Sequence, residues 1–133
     1  MIYYIKLYLA SFAAFFALDM LWLGLIAGNF YKQHLGFLMA PGVNWYAALI
    51  FYFLYILGVL VFVVVPGLTD NTFALMLVRA ALFGLITYAT YDLTNLATIR
   101  DWPLAVTMVD LLWGMVLTTL VSMAGFFAGR WMA

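Results

Sequence analysis

Hydrophobic positions dominate this chain in four long stretches that polar side chains interrupt only rarely. The stretches cover about residues 2–27, 45–65, 72–98 and 104–128. Each has at least the roughly 20 residues that an α-helix needs to cross a bilayer. Because backbone polar groups in hydrocarbon must be satisfied within the segment, stretches this long are helices rather than barrel strands. The pattern predicts an all-α integral membrane bundle of four transmembrane helices, in which residues 1–133 form a single membrane domain.

Short segments with helix-breaking residues separate the predicted spans. The second span opens with Trp45, which suits the headgroup region, and is predicted to stop before Pro66. Residues 30–39 are too apolar for a free loop and too short to span, so we expect a partial helix in the membrane interface. The turn at residues 100–103 is very short, which predicts that the third and fourth spans are antiparallel neighbours.

The overall composition agrees with this assignment and excludes several classes of function. The chain is 70% hydrophobic, 20% aromatic and only 8% charged, far outside the range of soluble globular proteins. Its five basic residues form no cluster, so we expect the lipid bilayer as partner and no nucleic acid. Without Cys, and with His34 as the single His, the chain has no thiolate or His-rich metal site. No cofactor is expected.

The first stretch is expected to remain in the mature protein as a membrane span. It is longer than the roughly 7–15 apolar residues of a signal peptide core, and it contains an Asp. Orientation follows from the basic residues, of which three lie on the side of the termini and two on the other side. The positive-inside rule therefore favours cytoplasmic termini. These residues are Lys6, Arg79 and Arg130 against Lys32 and Arg100.

Three carboxyl groups, those of Asp19, Asp92 and Asp110, interrupt the hydrophobic spans. An ionisable residue within a membrane helix is costly, so it marks either a functional site or a tether between helices. Counting about 1.5 Å per residue from the nearest helix end places all three roughly 10–15 Å from the same membrane surface. The three carboxyls are therefore predicted to share one layer of the bundle, just off the bilayer centre.

An Asp-x-Leu-Trp string occurs in both the first and the fourth span, at residues 19–22 and 110–113. The two helices run in opposite directions, so the match indicates a weak inverted repeat. Each Trp is expected at the depth of the other string's Asp. If the helices touch, the indole N–H groups of Trp22 and Trp113 are predicted to bond crosswise to Asp110 and Asp19.

The third span carries the densest run of hydrogen-bonding side chains, at residues 87–95. A helix end that is polar nearly all round is expected to be central in the bundle or to border a wet cavity. The aromatic residues at 51–55 of the second span, in contrast, are expected to serve packing. The candidate ligand-binding residues of the polar layer are Asp19, Trp22, Tyr88, Tyr91, Asp92, Asn95, Asp110 and Trp113.

Several strings in the second half of the chain resemble a known family of small bacterial inner-membrane proteins that are grouped as a domain of unknown function. The resemblance rests on Tyr-Asp-Leu-Thr-Asn at residues 91–95, the preceding residues 84–90, the turn at 96–103 and Val-Asp-x-x-Trp-Gly at 109–114. It is looser over the first two spans. It implies a multi-pass inner-membrane protein of four spans with the polar layer as its signature, and it carries over no activity.

Three kinds of function remain open for the polar layer. It could be a hydrogen-bonded plug that fixes helix register. It could bind or transport a small molecule, a lipid headgroup, a proton or Na⁺, and a carrier with so few helices would need a homo-oligomer. It could also be an enzyme site for a lipid or isoprenoid, with two carboxyls as acid and base. A divalent metal on the three carboxyls is conceivable, but none is expected.

Overall fold

A computed structural model describes all 133 residues, and helices make up nearly the whole chain. The α-helices are α1 (Ile2–Leu21), α2 (Gly28–Leu35), α3 (Trp45–Val59), α4 (Val65–Asp70), α5 (Phe73–Thr98) and α6 (Leu104–Met132). Two π-helical segments, Trp22–Ile26 and Leu60–Val64, extend α1 and join α3 to α4. The result confirms the predicted all-α membrane bundle, whose four spans are Ile2–Ile26, Trp45–Asp70, Phe73–Thr98 and Leu104–Met132.

The sequence predicts that the second span ends before Pro66. In the structure its helix continues to Asp70. A proline within a helix lacks an N–H and crowds the preceding turn. Here that turn belongs to the π-helical segment Leu60–Val64, and local π-helical adjustments let a membrane-spanning helix tolerate a proline. The helix ends at Asn71, whose left-handed φ of 50° is typical of a residue just beyond a helix end.

The buried core joins the first, second and fourth spans. Its members are less than 7% exposed and include Phe15, Ile56, Val59, Leu117 and Val121. A smaller buried cluster adds the third span on the side of the membrane where both chain termini lie, which we call the termini side. That cluster consists of Val63, Met76, Ala80 and Phe126. Because lipid tails are as apolar as these side chains, close packing rather than hydrophobic burial holds the spans together.

The third and fourth spans are antiparallel neighbours in close contact, and two glycines permit their approach. A Cβ at Gly84 would collide with the Gly114 carbonyl oxygen and would lie 2.6 Å from Thr118 Oγ1. A Cβ at Gly114 would lie 2.5 Å from Cδ1 of the Tyr88 ring. Side chains essentially never approach this closely. The contact therefore requires glycine at both positions.

The second and third spans make most of their backbone contacts on the termini side. The third span packs against Leu60–Val64 and the last turns of the second span, where Arg79 Nη1 lies 3.7 Å from Asp70 Oδ2. The backbone of Trp45–Val59 makes few, if any, close approaches to the backbone of the third span. The two spans therefore diverge toward the opposite side of the membrane, which we call the layer side because the three carboxyls lie nearer to it.

Replacing Gly84 by Ala is expected to lower the free energy of unfolding by about 1–3 kcal/mol, the usual cost of overpacking a close contact. The matched control is Gly24→Ala, because no atom lies within 4 Å of a Cβ at Gly24. Thermal unfolding of both variants in one detergent, followed by circular dichroism, measures the difference. Equal melting temperatures would contradict the close contact between the third and fourth spans.

Candidate functional site

The structure brings the three membrane carboxyls together near the layer side. Asp19, Asp92 and Asp110 lie six or seven residues from the ends of their spans, which corresponds to similar depths of about 10 Å. Asp92 and Asp110 are direct neighbours. Asp19 lies farther off but still near Asp110. The close contact at Gly84 and Gly114 is what places the third-span carboxyl beside the fourth-span carboxyl.

The short helix α2 between the first two spans contributes a residue that the sequence did not indicate. The Tyr31 hydroxyl donates a hydrogen bond to Asp110 Oδ1 and accepts one from Trp22 Nε1 at 3.0 Å. Burial and, secondly, the hydrogen bond to Asp110 raise the pKa of Tyr31 above its ordinary value. The hydroxyl therefore stays a proton donor, and Trp22 reaches Asp110 only through Tyr31.

The two Asp-x-Leu-Trp strings meet through their tryptophans rather than through direct Trp–Asp hydrogen bonds. The rings of Trp22 and Trp113 stack with centroids 4.3 Å apart and planes 8° apart. The Trp113 indole lies beside Asp19, as predicted, although its buried N–H makes no hydrogen bond of ordinary geometry. Trp22 is linked to Asp110 through the Tyr31 hydroxyl instead of directly. The inverted repeat stays a prediction.

Two tyrosines of the second span place their hydroxyls in the layer, although this aromatic stretch is expected only to pack. Tyr52 donates to Asp19 Oδ2 at 3.4 Å, a long and weak hydrogen bond. Tyr55 is hydrogen-bonded to Thr118 of the fourth span. The Tyr88 ring lies near both Asp19 and Tyr55. These groups form the hydrogen-bonded part of the layer.

The polar end of the third span faces two ways: one face is buried and borders a cavity, which is one of the two arrangements expected from the sequence, and the other face is exposed. Asp92 is fully buried, whereas Tyr91 is 59% exposed and its threonine neighbours are exposed as well. Thr90 and Thr98 donate to the carbonyl four residues earlier, at 2.7 and 2.8 Å. Such bonds satisfy a hydroxyl within its own helix. The outward face therefore needs no partner helix, and Asn95 lies beside Tyr91 at its margin.

A cavity of about 420 Å³ lies beside the Asp92–Asp110 pair, where the second and third spans diverge. Phe51 and Tyr91 stand at its outer margin, with 50% and 59% of their surfaces exposed. In a bilayer this opening faces lipid rather than water. The six lining residues are Phe51 of the second span, Thr87, Tyr88, Tyr91 and Asp92 of the third, and Asp110 of the fourth.

Asp92 differs from every other carboxyl of the chain in its surroundings. It is fully buried, and neither carboxyl oxygen has a hydrogen-bond partner. An unpaired buried polar group costs about 1–3 kcal/mol. No basic residue offsets this cost, because the single ion pair of the structure joins Arg79 to Asp70. Asp110, which is half-buried, offers the more accessible oxygens of the pair.

The eight candidate residues thus divide into two groups. The cavity wall contains Tyr88, Tyr91, Asp92 and Asp110, whereas Asp19, Trp22, Asn95 and Trp113 do not line it. The three carboxyls do not form a group that could hold a metal ion. Four residues of the site were not among the candidates from the sequence: Tyr31, Phe51, Tyr52 and Thr87. Of these, only Thr87 lies in the polar run of the third span.

Replacing Tyr31 by Phe is expected to loosen α2, because the variant loses the hydroxyl that joins Trp22 to Asp110. We expect faster hydrogen exchange of the α2 backbone, residues 28–35, with little change in the four spans. Tyr46→Phe is the matched control, since Tyr46 is 86% exposed at the start of the second span. Unchanged exchange in α2 would show that Tyr31 does not hold this helix.

The comparisons with known proteins place the whole bundle in one family. No curated protein and no solved structure matches the chain. A family model described as "Predicted membrane protein (DUF2177)" matches residues 4–127. The match includes all of the polar layer and confirms the resemblance to a domain of unknown function. The chain belongs to this family of membrane proteins.

Proposed function

We propose that the cavity beside Asp92 and Asp110 binds a small amphipathic molecule whose polar end carries a cationic N–H group. The observation that carries the proposal is the Asp92 carboxyl, which is fully buried at the cavity wall, accepts no hydrogen bond from the protein and has another acid, Asp110, as its neighbour. A donor from a ligand would satisfy a group that the protein leaves unpaired. Asp110, at the same wall, is partly exposed.

The charge of the cavity wall favours a cation over an anion. Two of the six lining residues are carboxylic acids and none is basic. Lys32 and Arg100, the basic residues of the layer side, are exposed and form no ion pair with these carboxyls. An ammonium group could donate to both carboxyls, and such charge-assisted hydrogen bonds are about twice as strong as neutral ones.

The remainder of the wall suits the apolar part of such a ligand. Three of the six lining residues are aromatic, namely Phe51, Tyr88 and Tyr91. Ligand sites commonly combine an apolar wall with a few polar groups that fix the orientation of the ligand. Aromatic faces also attract cations within about 6 Å of the ring. The geometry therefore supports recognition of one polar, positively charged end and one apolar body.

The other functions considered for the layer stay predictions. The hydrogen bonds of Tyr31, Tyr52 and Tyr55 support a structural role for the part of the layer away from the cavity. Transport of a proton or ion, and chemistry on a lipid or isoprenoid, would use the same carboxyl pair. The bacterial inner membrane, the cytoplasmic termini and a homo-oligomer are likewise predictions.

The Asp92→Asn variant provides the first test, with decylammonium as the probe and decanoate as its anionic counterpart. We expect decylammonium to raise the melting temperature of the wild-type protein in a non-ionic detergent, and decanoate to have no such effect. In the variant the affinity for decylammonium should fall about tenfold or more, since hydrogen bonds to charged groups contribute about 1.5–3 kcal/mol. Without a probe, the variant should melt no lower than the wild-type protein.

Asp101→Asn is the matched control, because Asp101 lies exposed in the turn between the third and fourth spans. Its φ of 62° is one that Asn also tolerates. This control should bind decylammonium like the wild-type protein. A large loss of stability in Asp92→Asn, together with unchanged or absent binding of the probe, would assign Asp92 a structural role and overturn the proposal.

A further inference from the structure

We infer that the cavity continues as a groove for a single hydrocarbon chain between the second and third spans, and that Phe83 sets the length of chain that fits. The inference rests on the proposed function, because the chain belongs to the same ligand whose cationic end contacts Asp92 and Asp110. The ligand is then a membrane-resident, single-chain amphiphile with an ammonium group.

Two further cavities follow the first along the third span, and each shares lining residues with the one before it. The second cavity, of about 300 Å³, shares Phe51 and Thr87 with the first. The third, also of about 300 Å³, shares Phe83 with the second. The shared residues show that the three cavities form one row, which runs from Asp92 on the layer side to Arg79 on the termini side.

The walls of the two further cavities are mostly apolar. The second adds Leu54, Tyr55, Phe83 and Thr90. The third adds Phe62, Val63, Arg79, Leu82 and Ile86. Leu54 and Phe62 are 63% and 64% exposed, so the row opens sideways toward lipid. A chain could therefore enter from the bilayer without passing through water.

Phe83 stands at the boundary between the second and third cavities. A Cβ at Gly58 would lie 2.9 Å from Phe83 Cζ, so the tip of the ring fits against bare backbone of the second span. The ring centroid also lies 5.9 Å from that of Tyr55 and 6.2 Å from that of Phe62. Phe83 thus bridges the two spans where they begin to diverge, and it divides the groove.

The position of Phe83 gives the groove a defined length. Asp92 follows Phe83 by nine residues in one helix, a distance of about 14 Å along the axis. Arg79 lies four residues beyond Phe83, so a groove without the Phe83 ring would extend over about 20 Å. A chain that starts at Asp92 therefore has to end, bend outward or displace the ring after about 14 Å.

The dependence of affinity on chain length tests the groove directly, because an ordinary lipid tail gains little free energy when it moves from the bilayer into the groove. The bilayer around it is already as apolar as the groove wall, so transfer from lipid provides almost no hydrophobic free energy. Selection must come from the fit of the chain and from the contacts of its polar end. Bulk partitioning would instead favour every longer chain without a limit at Phe83.

The experiment uses the full-length protein in lipid nanodiscs with n-alkylammonium probes from octyl to octadecyl at equal mole fraction in the membrane. The rise in melting temperature with probe concentration gives relative affinities. For the wild-type protein we expect affinity to fall about tenfold once the extended chain exceeds the groove, a typical penalty for a mismatch in an apolar pocket. In the Phe83→Ala variant this fall in affinity should appear only for chains longer than about 20 Å.

A second variant tests the same length limit from the other direction. Thr90 is exposed and lines the second cavity. The larger side chain of Thr90→Phe should fill part of the groove, so the affinity should already fall at shorter chain lengths. If Phe83→Ala does not fold, Thr90→Phe decides the question alone. Phe16→Ala is the control, because Phe16 is an exposed aromatic residue of the first span that lines none of the three cavities.

The outcomes separate the groove from the proposed function itself. Opposite shifts in Phe83→Ala and Thr90→Phe, with an unchanged profile in Phe16→Ala, would support the groove. Binding that depends on Asp92 but shows one chain-length profile in all the variants would overturn the groove and leave the proposed function standing. If no alkylammonium binds at any length, or if binding is insensitive to Asp92→Asn, the proposed function fails as well.

Discussion

The absence of water from a bilayer interior is the constraint on which the arrangement of this bundle depends, because each polar group in a span must find its partner within the protein. Most do so locally or across one helix contact. Tyr3 and Tyr8 donate to the carbonyl oxygens of Gly129 and Phe53, both at 3.0 Å, and exposed threonines bond to their own helix. Ser11, Trp113 and Ser122 each have one buried polar atom without a partner, but Asp92 is the one carboxyl among these exceptions. Ionisable exceptions within a membrane concentrate at functional sites.

The position of that exception follows from two features of helix packing. Glycine at positions 84 and 114 lets the third and fourth spans approach until their carboxyls are neighbours. The second span, in contrast, contacts the third mostly on the termini side. One tight contact and one divergent pair thus place a buried acid beside an open cavity. The same divergence leaves the apolar groove that runs from the cavity toward Phe83.

Hydropathy and turn length were sufficient to predict the four spans and the antiparallel third and fourth helices, because both are set by short stretches of sequence. Counting residues gave the depth of each carboxyl, but it could not give the direction in which a side chain points around its helix. For this reason counting residues placed Trp113 beside Asp19 but did not predict that Trp22 stacks on Trp113 and is linked to Asp110 through Tyr31. Tyr31 could not be predicted, because its position depends on how α2 folds back after the π-helical segment Trp22–Ile26. The end of the second span was predicted too early at Pro66 for a related reason, because the sequence does not show the π-helical turn that lets the helix continue past this proline.

The divergence of the second and third spans also concerns the membrane itself. On the termini side the ion pair of Arg79 with Asp70 and the turn at Asn71 hold these spans together, whereas on the layer side they stand apart. A gap without partner atoms loses packing contacts, so acyl chains of the surrounding lipid would fill the space between these spans on the layer side. The packing of this part of the bundle would then depend on the lipid beside it as well as on the sequence.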